Sequence, residues 1–316
     1  SEPRSFRMLV TDRVDEAKMW CSYSSYDDLI TKISAGKRYP TFYSKIATTA
    51  VIANNWYDLW GVGGNPSPGS YTGAARVATA YSNTSAGALF SGTTPDVGET
   101  KHLLSMWANS SGGGTQTLML YDRVIAYNAC AFSVANQVMD NSVAASRYVG
   151  ANEGGLKIIV TGQTLLGATA ANITQLRYTD QDGNALQSMP TSPTVAHIVS
   201  AAGQTATLGA RIVAPATAGA TLTWGPFIPL ASGDGGVRLI NDYTTSAANT
   251  GTLSIVLLRP LAICPMATVG MTSMVDLVMQ LANLEKVQNT ACLSFLSYHP
   301  ATTATTFVGG VDFGWG

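Results

Sequence analysis

The three histidines are the residues best suited to acid–base chemistry near neutral pH, and they are far apart in the sequence. His102, His197 and His299 each lie in or at the end of a predicted strand. The members of a hydrolytic triad need only meet in space, but no G-x-S-x-G turn or other nucleophile motif accompanies these histidines. We therefore interpret them as hydrogen-bonded strand residues and predict no catalytic residue.

The acidic residues could support two further kinds of chemistry, and both patterns are incomplete. Residues 180–184 (DQDGN) begin like a calcium loop, but Thr191 stands where the loop needs a bidentate Glu. Asp182-Gly183 instead predicts a hairpin turn. Paired carboxylates could hydrolyse glycosidic bonds, yet most acids beyond the first 46 residues neighbour Gly, Asn or Pro, as turn residues do. We predict no metal site, no cofactor and no enzyme activity.

The cysteines and the glycine-rich segment also lack the spacing of a reactive site. Cys21, Cys130, Cys264 and Cys292 are scattered, without C-x-x-C or zinc-type spacing, so we expect reduced thiols. Residues 61–70 (GVGGNPSPGS) lack the Lys-Ser/Thr ending of a phosphate loop. They predict an exposed loop.

An aromatic cluster stands beside that loop, in the sequence NNWYDLWGV. Trp56, Tyr57 and Trp60 could form a platform that binds a sugar or anchors a protein partner. Packing in a core or interface is the more frequent use of such residues. Both interpretations are open at the level of the sequence.

The chain carries little charge for its length. Asp, Glu, Lys and Arg make up 12% of the 316 residues, and the net charge is −1, so no basic field favours nucleic acid. The first residues do not resemble a signal peptide, and no run approaches the about 18 apolar residues of a membrane span. A surface of small uncharged residues favours a protein that its neighbours cover.

Charged residues are concentrated at the N-terminus, where the first 45 positions hold fourteen of them. We interpret residues 1–46 as a charged, partly helical docking arm that becomes ordered on assembly. Ser25 and Asp28 predict a capped helix, with Gly36 at its end. The candidate partner-binding cations of the arm are Arg4, Arg7, Arg13, Lys37 and Arg38. The alternative is that these cations only form a solvated surface.

Beyond residue 46 the sequence consists of short β-rich runs separated by Gly, Pro, Asn and Ser clusters. This spacing is typical of β-sandwiches and barrels. The predicted strands are 46–52, 75–81, 102–107, 117–127, 156–161, 173–178, 194–200, 207–213, 237–243 and 252–263. Residues 274–284 could form a helix by propensity, but we predict a strand at 275–281 (VDLVMQL), because Val275, Leu277 and Met279 alternate with other residues.

An internal repeat links the two halves of the chain. Residues 98–126 match residues 235–263 without a gap, so that Lys101 falls on Arg238 and residues 118–120 (LML) fall on 255–257 (IVL). Each copy predicts a β-hairpin with a basic first strand, a Gly/Ser/Asn-rich turn and an apolar second strand. The fold class predicted is mainly β, with two tandem β-sandwich or jelly-roll-like domains at 47–150 and 151–316 after the arm at 1–46.

These strands carry a resemblance to a known family. Residues 226–238 (PFIPLASGDGGVR) followed by 251–265 (GTLSIVLLRPLAICP) resemble tailed-bacteriophage virion structural proteins, as do KHLLSMW, TLMLYDRVIAY, ACLSFLSY and the terminal GWG. The resemblance covers about residues 47–316 and rests on structural strands. It implies head-associated β-sandwich or jelly-roll modules that decorate or cement a capsid.

The function expected from this resemblance is structural. The chain would bind the major capsid protein or other virion proteins, and copies of itself, at the capsid surface of a virion assembled in the host cytoplasm. No nucleic acid and no membrane are expected as partners. A collar, tail or baseplate protein is one alternative, and an adhesin that binds a receptor or glycan through the aromatic cluster is another.

Overall fold

The computed structural model shows a mainly β chain, which confirms the predicted fold class. The residues that the structure describes are 23–47, 53–112, 114–150, 153–164, 166–167, 171–190, 197–198, 210–214, 225–280 and 284–316. The helices and strands, in chain order, are α1 Tyr26–Ser34, β1 Arg38–Ala47, β2 Asn55–Asp58, β3 Gly64–Asn65, β4 Ala78–Ala80, β5 Lys101–Ser110, β6 Gln116–Ala131, β7 Gln137–Val138, β8 Lys157–Gly162, β9 Ala171–Asp180, β10 Gln187–Ser188, β11 His197–Ile198, β12 Ala210–Ala214, β13 Val237–Thr245, β14 Thr252–Met266, β15 Ser273–Asp276, α2 Leu277–Gln280, β16 Leu293–His299 and β17 Thr305–Trp315.

The strands form three antiparallel sheets. The first sheet has the order β15-β5-β17-β1-β3, and the second has the order β10-β9-β13-β7, with β11 beside β9. The third sheet has the order β14-β8-β12-β2-β16-β6-β4. An additional pairing of β14 with β6 brings the third sheet back on itself, so that six of its strands form a nearly closed ring.

The two repeat segments share a topology, but the prediction that each is a hairpin is wrong. β5 lies in the first sheet and β13 in the second, while the strands that follow them, β6 and β14, both lie in the third. β6 and β14 pair with each other, and the register joins Val256 to Ala126 and Ile263 to Met119. The shift that relates the repeats exchanges these two pairs. The long strands therefore meet about a local two-fold axis.

The same symmetry extends to the strands around them. β5 pairs with β17 while β13 pairs with β9, and β6 pairs with β16 while β14 pairs with β8. The short strands β15 and β7 add to β5 and β13 in the same reciprocal way. The pairings of β5 with β17 and β15, of β6 with β16 and of β7 with β13 join strands on opposite sides of residue 150, so the boundary predicted there does not separate two independent sheets.

The apolar character of β6 and β14 explains why neither strand forms a hairpin with the strand before it. Both strands are buried along most of their length, so each needs neighbours on both faces. In β6, Leu118 and Leu120 pack with Leu103 of the first sheet, whereas Met119 and Tyr121 belong to the core of the third. A two-stranded hairpin could not provide this double cover.

Part of the predicted docking arm belongs to the sheet framework. α1 begins after Ser25, whose hydroxyl accepts a hydrogen bond from the Asp28 N–H, and Gly36 has a positive φ of 83° just after the helix, as predicted. β1 then pairs with β17 over its ten residues. Residues 38–46 are therefore a sheet strand and not an arm, while residues 1–22 lie outside the described part of the chain.

Most other predicted strands are confirmed, including those that became β5, β6, β8, β9, β13 and β14. The predicted strand at 46–52 coincides with only the end of β1, and 48–52 lie outside the described residues. The strand predicted at 275–281 is wrong beyond Asp276, where β15 ends and α2 begins, and residue 281 lies outside the described residues. Asp276 accepts hydrogen bonds from the Val278 and Met279 amides and so caps the helix. The turn at Asp182-Gly183 joins β9 to β10, as predicted.

Candidate functional site

The three predicted platform aromatics are core residues. Trp60 is completely buried, and Trp56 and Tyr57 are buried almost as fully. Trp56 packs on Tyr298, and the Trp60 indole N–H donates a hydrogen bond to the Ser70 carbonyl. Of the two interpretations of the cluster, core packing is the correct one. A surface platform made of these rings is ruled out by their burial.

The two predicted docking cations that the structure describes have partners within the chain. The Lys37 ammonium binds the Glu99 carboxylate, and the Arg38 guanidinium lies 2.8 Å from the Asp312 carboxylate. Both cations are partly exposed, so they lie at the surface with their charge already paired. Arg4, Arg7 and Arg13 lie outside the described residues.

A buried ion pair stands at the centre of the third sheet, and the sequence reasoning missed it. The Arg123 Nη1 atom lies 2.8 Å from the Asp58 Oδ2 atom, and both side chains are fully buried. Asp58 Oδ1 accepts further hydrogen bonds from the Tyr121 hydroxyl, at 2.6 Å, and from the Trp60 amide, at 3.1 Å. The carboxylate is thus well satisfied at both oxygens.

Aromatic rings surround the guanidinium of this pair. The Arg123 Cζ atom lies 4.9 Å from the ring centre of Tyr81, 5.1 Å from that of Trp60 and 5.5 Å from that of Tyr71. The Nε and Nη2 atoms of Arg123 have no hydrogen-bond partner among the described residues. Because ring faces attract cations, this cage compensates part of the lost hydration.

A second buried ion pair lies one residue away along β6. Arg147 binds Asp122 through two bonds of 2.8 Å, from Nε to Oδ2 and from Nη2 to Oδ1. Asp122 Oδ1 also accepts a hydrogen bond from the Cys292 amide. In each pair the carboxylate binds the guanidinium of its own partner, so neither carboxylate is available as a general base. The adjacent Asp122-Arg123 within an otherwise apolar strand was the sequence signal that could have revealed them.

Two histidines lie in the described cores, apart from one another and from these ion pairs. The His102 Nδ1 atom lies 3.2 Å from the Leu284 carbonyl oxygen, and its ring packs beside Tyr23. The His299 Nε2 atom lies 2.9 Å from the Ser297 hydroxyl, and its ring packs on Tyr57 and Phe307. Burial lowers the pKa of His102, and it lowers the pKa of His299 to about 4. Both rings are therefore neutral at pH 7.

Because the buried His299 must be neutral in the folded chain, we expect the protein to lose stability in mild acid. Its folded pKa of about 4 lies below the reference value of 6.5, so the unfolded chain binds its proton more readily. Stability should fall as the pH drops from 6.5 towards 4, by about 3 kcal/mol from this ring. Urea unfolding at pH 7 and pH 4 should show a smaller loss for His299→Gln than for the unmodified chain. Equal losses would contradict the prediction.

The remaining candidate residues are engaged in local structure. Asp180 accepts hydrogen bonds from the Asp182 and Asn184 amides of its own turn, as a turn residue does. No group of three metal-ligating side chains occurs among the described residues. Cys130, Cys264 and Cys292 are buried free thiols, and burial raises the pKa of each. Among the described helices, none has the length and apolar character to cross a membrane.

The outer face of the first sheet, the side turned away from its core, carries several exposed apolar side chains. One row of this face crosses four strands, from Phe42 through Gly310 and Trp107 to Met274. Phe42 is 61% exposed and Met274 is 58% exposed, and the Phe42 ring packs edge-on against Trp107. Val308 and Ile46, also exposed, extend the apolar area along the sheet. We call these five residues (Phe42, Ile46, Trp107, Met274 and Val308) the apolar face.

The second sheet provides an internal comparison for the apolar face. The repeat places Thr244 of β13 at the position of Trp107 in β5. Thr244 pairs with Gln175 on the neighbouring strand, as Trp107 pairs with Gly310. On the next row of the second sheet, Arg177 forms a two-bond ion pair with Asp242. The two central strands of the second sheet thus present polar side chains outward. An apolar outer face is not a requirement of this topology, so its presence on the first sheet needs another cause.

No protein-family model matches the chain, and no curated protein matches it in sequence. Among solved structures, a weak likeness was found to a chain of "The 2.6A structure of Infectious Bursal Virus Derived T=1 Particles", at 10% sequence identity and a TM-score of 0.17, covering 88% of this chain and 77% of that chain. A likeness at this TM-score carries no argument about fold or function. The function must be inferred from the residues of the chain itself.

Proposed function

We propose that this chain is a structural protein of a virion that decorates or cements the head of a tailed bacteriophage. Its apolar face would pack against the major capsid protein, with no catalytic role for any residue. The observation that carries the proposal is the contrast between the outer faces of the two repeat-related sheets. The central strands of the second sheet present polar side chains outward, with the exposed Val138 confined to its edge strand β7, whereas the first sheet exposes large apolar side chains from Phe42 across to Met274.

The physical chemistry of this surface fits a docking role. Removing apolar surface from water contributes about 25 cal/mol per Å², and aromatic residues and Met are enriched in protein interfaces. The Arg38–Asp312 ion pair lies beside the apolar row on the same face. An apolar centre with a polar rim is the usual anatomy of an interface. The low charge of the chain as a whole is also consistent with a protein that has many neighbours.

Substitutions on the apolar face should weaken binding to undecorated heads. The double variant Phe42→Ser/Met274→Ser removes two exposed apolar side chains, and we expect at least about a tenfold loss of affinity. Co-sedimentation with purified heads at several protein concentrations would measure it. The matched control is Gln175→Ser/Thr244→Ser on the second sheet, which should bind as the unmodified chain does.

The same experiment separates the alternatives. Equal binding of the two double variants and the unmodified chain would contradict docking through the apolar face. Binding to isolated tails or baseplates, with none to heads, would place the chain as a collar, tail or baseplate protein. The glycan-binding alternative has lost its basis, because Trp56, Tyr57 and Trp60 are buried.

A further inference from the structure

The chain reaches the outer face of the first sheet at one end of that face. Tyr23, the first described residue, packs with Leu29 of α1 and Leu104 of β5. Its ring also lies against Gly314 and Gly316, so closely that a Cβ added at Gly314 would come within 2.9 Å of the Tyr23 hydroxyl oxygen. Gly314 lies in register with Arg38 and His102, which places this contact on one end row of the outer face.

The apolar face begins four residues further along the same strand. Gly310, in the row of Phe42 and Trp107, precedes Gly314 on β17, a separation of about 14 Å at the rise of a β-strand. Residues 1–22 come immediately before Tyr23. Their length allows about 70 Å when extended and about 33 Å when helical, so either conformation can reach the whole apolar face.

The composition of residues 1–22 is suited to such a contact. Their four acidic and four basic side chains balance, so no net charge opposes approach to the sheet. The large apolar side chains of the segment are Phe6, Met8, Leu9, Val10, Val14, Met19 and Trp20.

The second sheet lacks a comparable N-terminal neighbour. Only the first sheet has Tyr23 and α1 against its outer surface among the described residues. It is also the sheet whose outer face is apolar, while the central strands of the second present Gln175 and Thr244. The position of the apolar face therefore coincides with the place where residues 1–22 enter the fold.

We propose that residues 1–22 cover the apolar face of their own copy before assembly, and that a docking partner displaces them. Attachment at Tyr23 gives the segment an effective concentration of the order of millimolar at this face, which favours it over a second copy in dilute solution. The displacement rests on the proposed function. The covering does not, because it concerns the isolated chain.

A site-specific photo-cross-linker tests the covering in the full-length chain. The photoreactive residue p-benzoylphenylalanine would replace Phe42, a conservative aromatic change at an exposed position. After irradiation of dilute protein and digestion with trypsin, mass spectrometry would identify the linked peptides. We expect peptides from residues 1–22, at a yield at least about tenfold above that from the same probe at Gln175 on the second sheet.

Mixing isotopically light and heavy protein before irradiation distinguishes the possible occupants. Links that join light only to light and heavy only to heavy support covering within one copy. Mixed links to residues 1–22, or links to any other segment, overturn the proposal. Comparable yields from positions 42 and 175 overturn it as well. Addition of undecorated heads should then lower the yield at position 42, and an unchanged yield would count against displacement while leaving the covering in place.

Discussion

Replacing Asp58 by Asn is expected to lower the free energy of unfolding by about 3–5 kcal/mol, because it leaves the Arg123 guanidinium buried without its counter-charge. Arg123 has no exposed surface through which water could reach it, and two of its nitrogen atoms already lack hydrogen-bond partners among the described residues. The aromatic cage attracts the cation but cannot neutralise it. Urea unfolding followed by tryptophan fluorescence at pH 7 would measure the loss.

The double variant Asp58→Asn/Arg123→Met shows whether the loss comes from the unpaired charge. With the cation removed, we expect the double variant to be more stable than Asp58→Asn alone, since apolar side chains of similar size often replace buried pairs at little cost. Arg38→Met is the control, because the Arg38–Asp312 pair is partly exposed and should contribute less than about 1 kcal/mol. Equal stability of Asp58→Asn and the unmodified chain would contradict the role assigned to the buried pair.

Replacing Trp60 by Ala is expected to cost about 3–5 kcal/mol, the range for deleting a large aromatic side chain from a core. Trp60 is completely buried, packs edge-on against Tyr81 and contributes one wall of the Arg123 cage. It also supports the neighbouring loop, where the Gly69 amide donates to the Trp60 carbonyl and a Cβ at Gly69 would lie 2.0 Å from the indole. The variant therefore loses core packing and loop support together.

Phe42→Ala is the matched control for this prediction, since it also removes an aromatic ring. Phe42 is 61% exposed, so its loss should change the unfolding free energy by less than about 1 kcal/mol while weakening docking. Trp60→Ala should therefore lower the free energy of unfolding much more than Phe42→Ala does. If Phe42→Ala proved the more destabilising of the two, the assignment of Trp60 to the core and Phe42 to the docking surface would be wrong.

The sequence predicted individual elements well where the pattern was local. The cap of α1 depends on Ser25 and Asp28, three residues apart, and the β9–β10 turn depends on Asp182-Gly183, so both could be recognised without tertiary information. β1 was missed as a sheet strand because its inward positions include Lys45. Lys45 is buried, and its ammonium donates hydrogen bonds to the Val62 and Pro66 carbonyls. No local sequence pattern predicts this arrangement.

The sites were less predictable than the elements. Arg123 could be flagged as a charge within an apolar strand, but Asp58 is 65 residues away from it in sequence. The apolar face unites Phe42, Trp107 and Met274 from three separated strands, and each of them alone reads as an ordinary strand residue. Trp60 and Phe42 have similar apolar character, and only their positions in the fold make one a core residue and the other a surface residue.

The sequence by itself determined that this chain is mainly β, that residues 98–126 and 235–263 are related, and that its net charge is only −1. These properties depend on composition and on spacing along the chain. Only the tertiary structure decided that the two repeats interleave, with β6 paired to β14 and the outer strands exchanged between sheets. Pairing between distant strands depends on which faces remain to be covered after each sheet forms, and that is a property of the whole fold.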